Sequence, residues 1–369
     1  MRRVRTLVIS DLHLGKAAGT DLLRRRKLRA PLIEALDGVD RLVVLGDGLE
    51  LREAPHRDAA AVAAPLFQEA GHALGPDGEI LVVGGNHDHG LVAGWIESRL
   101  TVEPAGFLGL EQRFAPPAPL AERLAEAARP ARLELAYPGV WLRDDVYAIH
   151  GHYSDLHATV PTFERVFAGA MARWVVSLPE SGATPDDYEA ALSPLYAWMH
   201  ALTQRADHAR ISAGAGASAR TWTALTSAER HRHPLRMAAL GTGYVAAVAG
   251  LNALGLGPLD RDLSPAALRR GYLRGIREVV RRLDVRAAHV IWGHSHRAGP
   301  FPGDDASEWR AGGGARIWNT GSWVYQPHFL KGAAGASPYW PGSAVLVEDT
   351  GPPRLLRLLA ERRHEDLRP

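Results

Sequence analysis

Aspartates, an asparagine and a group of histidines stand immediately after short apolar runs at widely separated places in this chain. Asp11 and His13 follow LVIS; Asp47 follows LVVL and Gly46; Asn86, His87 and Asp88 follow ILVV and Gly84-Gly85. His150 follows VYAI, and His294 and His296 follow HVIW and Gly293. Carboxylate, amide oxygen and imidazole together suit manganese, iron or zinc, and the chain has no cysteine to offer a softer donor. A site for two such ions needs one carboxylate shared between ions about 3.5–4 Å apart. Asp47 is the natural bridge, because it stands alone after a glycine with no neighbouring histidine.

The elements that position these groups are legible in the runs before them. β-Branched and aliphatic residues that stop at Gly, Asp or Asn mark buried strands ending in turns. The blocks thus fall at the carboxyl ends of five core strands, where open α/β sheets hold their ligands. Taken singly, each block has a plainer reading. Asp-x-His or Gly-Asp after a strand is commonly a turn or helix cap, and Gly-Asn-His-Asp alone can be a loop. Closely spaced histidines also arise by chance in a chain with 17 of them. Five blocks, each at a strand end, read together as one metal site.

The order and spacing of the blocks resembles the calcineurin-like metallophosphoesterases, whose pattern is Asp-x-His, Gly-Asp, Gly-Asn-His-Asp, His and Gly-His-x-His. The resemblance covers about 1–155 and 286–325. It implies an α/β fold: a four-layer metallophosphoesterase sandwich of two packed mixed β-sheets flanked by helices, here with a helical insertion. It also implies two divalent metal ions, manganese first, with iron or zinc as alternatives. Asp11, His13 and His296 would hold one ion and Asn86, His150 and His294 the other, with Asp47 bridging. His87 would face the substrate phosphate and protonate the leaving oxygen, and Asp88 would orient His87. Glu50, where many relatives carry an acidic residue, is expected beside the site and not as a ligand.

At 369 residues the chain is long enough for two domains, or for one large α/β domain with an insertion. Hydrophobic residues at 46% and charged residues at 23% describe a folded chain with ample core. A net charge of +2 gives no argument for a nucleic-acid partner. Lack of cysteine rules out a disulfide framework and fits a cytoplasmic location. The apolar stretch after MRRVR is too short for a signal peptide.

Strands are expected at 5–9, 41–45, 79–83 and near 107–114. Three more are expected at 132–136, 139–142 and 146–149, with turns at Tyr137-Pro138-Gly139 and Arg143-Asp144-Asp145. Helices are expected near 20–36 and 58–74. The RRRKLR run at 24–29 reads as a solvated helix face, with an anion- or membrane-binding patch as the alternative. His152, Tyr153, Asp155 and His157 read as a pocket wall or a plain polar loop, and His89 as a loop residue near the site. From about 161 to 283 the pattern is helical, including SARTWTALTSAERH at 218–231. The expected division is 1–157 and 286–369 for the catalytic domain, with 158–285 as a helical cap. After 286 the sheet resumes, and Asn319-Thr320-Gly321-Ser322-Trp323 is expected to support the metal site.

Residues 237–257 carry no charge over the length of a membrane span. Their Ala/Gly-rich composition favours a buried cap helix, with a lipid-tail or membrane-surface contact through 230–257 as the second reading. The blocks also resemble the subgroup that includes UDP-2,3-diacylglucosamine pyrophosphatase, which is peripheral to the membrane. That subgroup has Arg at the place of His87 and a shorter helical lid. The expected reaction is hydrolysis of a phosphodiester or pyrophosphate bond in a small-molecule or lipid-linked substrate. A phosphomonoesterase or protein phosphatase, and a non-catalytic metal-binding scaffold, are the alternatives. Oligomeric state is not legible.

Overall fold

The computed structural model describes residues 4–53, 55–102, 106–205, 234–330 and 335–369. The chain falls into two compact units. One takes Met1–His152, Met199–Arg205 and Val285–Pro369; the other takes Tyr153–Trp198 and Ala206–Asp284.

The first unit is built on eleven strands: β1 (Thr6–Ile9), β2 (Arg41–Leu45), β3 (Glu79–Val83), β4 (Glu111–Phe114), β5 (Arg132–Arg143), β6 (Val146–Ile149), β7 (His289–Trp292), β8 (Ala298–Gly299), β9 (Arg316–Thr320), β10 (Ser343–Val347) and β11 (Arg354–Arg357). They form one mixed sheet in the order β11-β10-β1-β2-β3-β5-β6-β7-β9-β8, with β4 paired to β5. β1, β2, β3 and β5 run parallel, in register through Val8↔Val43, Val43↔Leu81 and Leu81↔Glu134. β6, β7 and β9 are also parallel, through Ala148↔Ile291 and Ile291↔Trp318. The sheet curls far enough that β9 and β10 approach one another. The fold is therefore mixed α/β, as expected.

The strands do not separate into two hydrogen-bonded sheets, and the reason lies in β5. The expected turn at Tyr137-Pro138-Gly139 is a bend inside one continuous strand. β3 pairs with β5 up to Ala136, and β6 takes over from Gly139. Pro138 thus falls between the two ladders, opposite a bulge at Glu111, where its missing N–H costs no bond. Both faces of the sheet are buried. Val8, Val43, Leu81, Ala136, Ala148, Ile291 and Val345 share one core cluster. Leu7, Leu42, Ile80 and Leu133 pack on the other face with residues of α1 (Arg26–Glu34), α2 (His56–Leu74) and α4 (Pro119–Ala127). Burial on both faces explains the near-continuous apolar strands.

The RRRKLR run is a solvated face only at Arg26 and Lys27, which are exposed. Arg29 is buried in a two-pronged bond to Glu69 at 2.7 and 3.0 Å. Arg24 pairs with Asp21 at 2.7 Å, and Arg25 donates to carbonyls near the C-terminus, including that of Leu367 at 2.7 Å. These guanidiniums tie chain segments together and are already engaged.

The second unit contains α5 (Phe163–Trp174), most of α6 (Pro185–Arg205), α7 (Pro234–Ala253) and α8 (Pro265–Arg282). Thr162 caps α5 by accepting from the Arg165 amide at 3.1 Å, and Ser264 caps α8 from the Ala267 amide at 3.3 Å. The helix expected at 218–231 lies outside the described residues, as does the start of the 230–257 run. Where its side chains are described, α7 is mostly exposed rather than buried. Val248 is its fully buried side chain there, because Ala and Gly present little apolar area to bury. Among the described residues no helix is long and apolar enough to cross a membrane. Tyr153 and Asp155 are buried rather than lining an open wall. Tyr153 bonds Glu189 at 2.8 Å, and His157 bonds Tyr188 at 2.9 Å.

Candidate metal centre

β1, β2 and β3 run parallel to β5, whereas β6 and β7 run antiparallel to it, yet the loops that follow all five strands converge on one cluster of side chains. The loops after β1 and β2 are zipped together: the Asp11 amide donates to Gly46 O at 3.1 Å, and the His13 amide to Asp47 O at 2.8 Å. Gly46 is required by closeness, since a Cβ there would lie 2.3 Å from the His150 ring. A Cβ on Gly293 would likewise meet Ser10 Oγ at 2.2 Å.

Six non-glycine residues among those described have a positive φ, and five are expected ligands: Asp11, His13, Asp47, His294 and His296. Each such backbone costs about 1–2 kcal/mol in an L-residue and persists only where the surroundings over-determine it. The strain aims side chains inward from successive loops.

All seven expected ligands come together. Asp11 Oδ1 lies 3.3 Å from His296 Nε2, and His13 Nε2 lies 3.1 Å from His296 Nε2. Asp47 Oδ2 stands between the two sets, 3.7 Å from His13 Nε2 and 3.4 Å from His150 Nε2. His150 Nε2 is in turn 3.2 Å from Asn86 Oδ1. Three groups of side chains could each hold a metal ion: Asp11, His13 and His296; Asp47, His150 and His294; and His13, Asp47 and His87. The third group was not expected, and it places His87 within reach of the ligands.

The outer nitrogens of the imidazoles are held by acceptors. His150 Nδ1 lies 2.9 Å from Leu45 O, His13 Nδ1 3.0 Å from Glu50 Oε2, and His296 Nδ1 3.1 Å from Gln326 Oε1. A proton on each Nδ1 satisfies those oxygens and leaves each Nε2 lone pair facing inward, the arrangement that tunes histidine for metal binding. The facing Nε2 atoms of His13 and His296, both acceptors in this tautomer, call for a cation. The donor set, its strain and its tautomers therefore fit divalent metal ions.

Charges in the cluster are strongly coupled. Burial would raise the Asp11 carboxyl, but His296 and His150 outweigh it and hold it below the ordinary value. Burial opposes ionisation of Asp47 too, yet His150 and His87 keep it well below the usual range. Burial would depress His150, but Asp47 and Asp11 push it up to about 10 in the metal-free protein. His13 is lowered to about 4 by burial and then by His87.

Two roles differ from expectation. Glu50 is fully buried and accepts from both His13 and His87, the latter at 2.9 and 3.0 Å through Nδ1. Burial would raise its carboxyl, but His87 and Lys16 keep it well below the usual range. Asp88, expected to orient His87, instead accepts backbone N–H groups of Gly48 at 2.7 Å, Gly85 at 2.7 Å, Leu49 at 3.2 Å and Asp47 at 3.3 Å. Its carboxylate is engaged in binding two ligand loops together, so Glu50 is the residue that orients His87. Asn319 supports the last loop, donating to Gly293 O at 2.8 Å. Gln326 and Ser10, which bonds Asp11, carried no motif that would have singled them out.

No protein-family model matches the chain, and no curated protein does. Among solved structures, it is similar to a cold-active protein-tyrosine phosphatase of the psychrophile Shewanella sp. The two share 13% identity over 96% of this chain and 80% of that one, with a TM-score of 0.29. At that score the likeness carries no argument about fold or reaction.

Proposed function

We propose that this chain is a dinuclear-metal phosphoesterase of the calcineurin-like class that hydrolyses a phosphodiester or pyrophosphate bond. The observation that carries the reading is Asp47 standing between two sets of imidazole and carboxylate ligands. In this reading the two halves of the curled sheet, joined through β5, correspond to the two packed sheets of a four-layer sandwich. Asp11, His13 and His296 would hold one ion and Asn86, His150 and His294 the other, with Asp47 shared between them. Two divalent ions, manganese first and iron or zinc as alternatives, would supply Lewis acidity to the phosphoryl oxygens and activate a water for in-line attack.

The chain's own residues do the rest. Glu50 takes the Nδ1 proton of His87 in a hydrogen bond, so the proton on Nε2 is the one available to a leaving oxygen. His87 suits that task because its side chain is the partly exposed member of the Glu50 pair, at 22% against 3% for His13. Asp88 holds the 47–49 and 85 backbones in place around Asp47. The uncharged and exposed stretch of α7 supports a lipid-linked substrate and a peripheral membrane contact through 230–257. Selection of that substrate is assigned to the helical segment 158–285.

The test is hydrolysis of bis-p-nitrophenyl phosphate by EDTA-treated protein after manganese is restored, with Asp47→Asn as control. The expected result is manganese-dependent turnover that the variant loses. Two bound metals without turnover would move the assignment to a monoesterase or a binding scaffold. No bound metal would end it.

A further inference from the structure

His56, His89 and His200 lie outside the seven-residue centre. His56 opens α2, His89 begins the turn after Asp88, and His200 lies in Met199–Arg205, the stretch of α6 that belongs to the sheet unit. His56 Nε2 and His200 Nε2 are 2.6 Å apart, with ring centroids at 4.8 Å and planes 31° from parallel. The two nitrogens therefore meet head-on. Both rings are partly exposed, so solvent and solute can reach them. His200 is also set against the Gly90 backbone, where a Cβ would lie 3.0 Å from its Nε2. Burial, then His56, then His89 disfavour a proton charge on His200.

Two imidazole nitrogens facing at this distance share something positive between them. A proton satisfies one donor and one acceptor. Neutral imidazole pairs are also the protein ligands that zinc, nickel and copper prefer. With Zn–N at about 2.0–2.1 Å, two nitrogens on one tetrahedral zinc stand roughly 3.3 Å apart. The nitrogens would need to part by about 0.7 Å, and each ring to swing so that its lone pair meets the ion off the line between them. That movement is open to partly exposed side chains.

We infer that His56 and His200 are the protein ligands of a separate site for one transition-metal ion of the zinc class, with His89 beside them. The remaining coordination positions go to water. The same seam is already stitched: Thr203 Oγ1 donates to Arg52 O at 2.8 Å, and the His56 amide donates to Gln204 Oε1 at 3.4 Å. A cation here would brace His56, close in the chain to Arg52 and Glu50. The inference does not depend on the reaction proposed above.

The full chain, stripped with EDTA, is saturated with Zn2+ alone, and bound zinc is counted by elemental analysis and calorimetry. Wild type is expected to bind one zinc more than His56→Gln, His200→Gln or the double variant. Asp47→Asn is expected to lose zinc from the ligand loops and keep this additional one. Far-UV circular dichroism and a thermal melt of the metal-free glutamine variants, matching wild type, report that they are folded. Equal zinc uptake by wild type and the double variant overturns the inference. Loss of zinc in the glutamine variants but not in Asp47→Asn would uphold it and count against the dinuclear reading instead.

Discussion

The ligand loops of the sheet unit and the helices of the second unit dispose of their polar groups in opposite ways. In the loops, Asp11, Asp47, Glu50, Asp88 and His150 are all buried, and five ligands sit in a costly backbone conformation. In the helical unit the buried polar groups close on each other, Tyr153 with Glu189 and His157 with Tyr188. Among what it turns outward are large apolar side chains: Trp174, Val175 and Leu254 are each about three-fifths exposed or more. The first region forgoes stability to converge charge on a point. The second pairs these buried groups locally and leaves large apolar side chains at its surface.

The largest effect that could break this contrast is at His87. His87→Gln is expected to lower kcat on an alkyl phosphodiester by about 10²–10⁴-fold, the usual worth of a positioned acid. The loss on bis-p-nitrophenyl phosphate should be much smaller, since p-nitrophenolate leaves without a proton. Equal losses on both substrates would make His87 a ligand, as its grouping with His13 and Asp47 allows.

A smaller effect tests the helical unit. Burial, and then Arg282, lower His157 to about 3, so the folded chain keeps it neutral where the unfolded chain takes up a proton near pH 6.5. The stability this withholds is fully present above pH 6.5 and is lost as pH falls towards 3. Between pH 6.5 and 4 the loss should amount to about 2–3 kcal/mol. Urea unfolding of metal-free wild type and His157→Gln should show the variant with the shallower acid limb. Parallel limbs would mean that His157 is not held neutral.

The smallest effect addresses strain. His296→Gly should weaken metal binding yet stabilise the metal-free chain by about 1 kcal/mol, because glycine accepts a φ of 57° freely. A lower melting temperature for the metal-free variant would show that the loop is not strained.

Where structure follows from local pattern, the sequence was readable. The runs at 41–45 and 79–83 are β2 and β3 to the residue, and every expected ligand lies at a strand end. What escaped was set by tertiary pairing. Pro138-Gly139 carries the ordinary letters of a turn, and only the handover from β3 to β6 shows why the strand continues through it. Asp88 follows His87 directly, which suggested a partnership. The backbone amides of another loop claim its carboxylate instead. Glu50 reaches both histidines because β1, β2 and β3 are neighbours, a fact no spacing in the chain states. α7 looked buried by composition, yet small side chains do not oblige a helix to be covered.

The parallel pairing of β6 with β7 constrains anyone who would trim this protein. The chain leaves β6 at the ligand edge and must return to the opposite edge before β7 can begin. A hairpin would reverse β7 and carry His294 and His296 to the wrong end of the sheet; parallel neighbours need a crossover of about a dozen residues or more. α8, at 18 residues, spans roughly 27 Å and outreaches a four-residue strand of about 13 Å. A minimised chain could therefore dispense with much of 153–284 and still close the sheet, provided one such helix, or a linker of equal reach, is left to make the return journey.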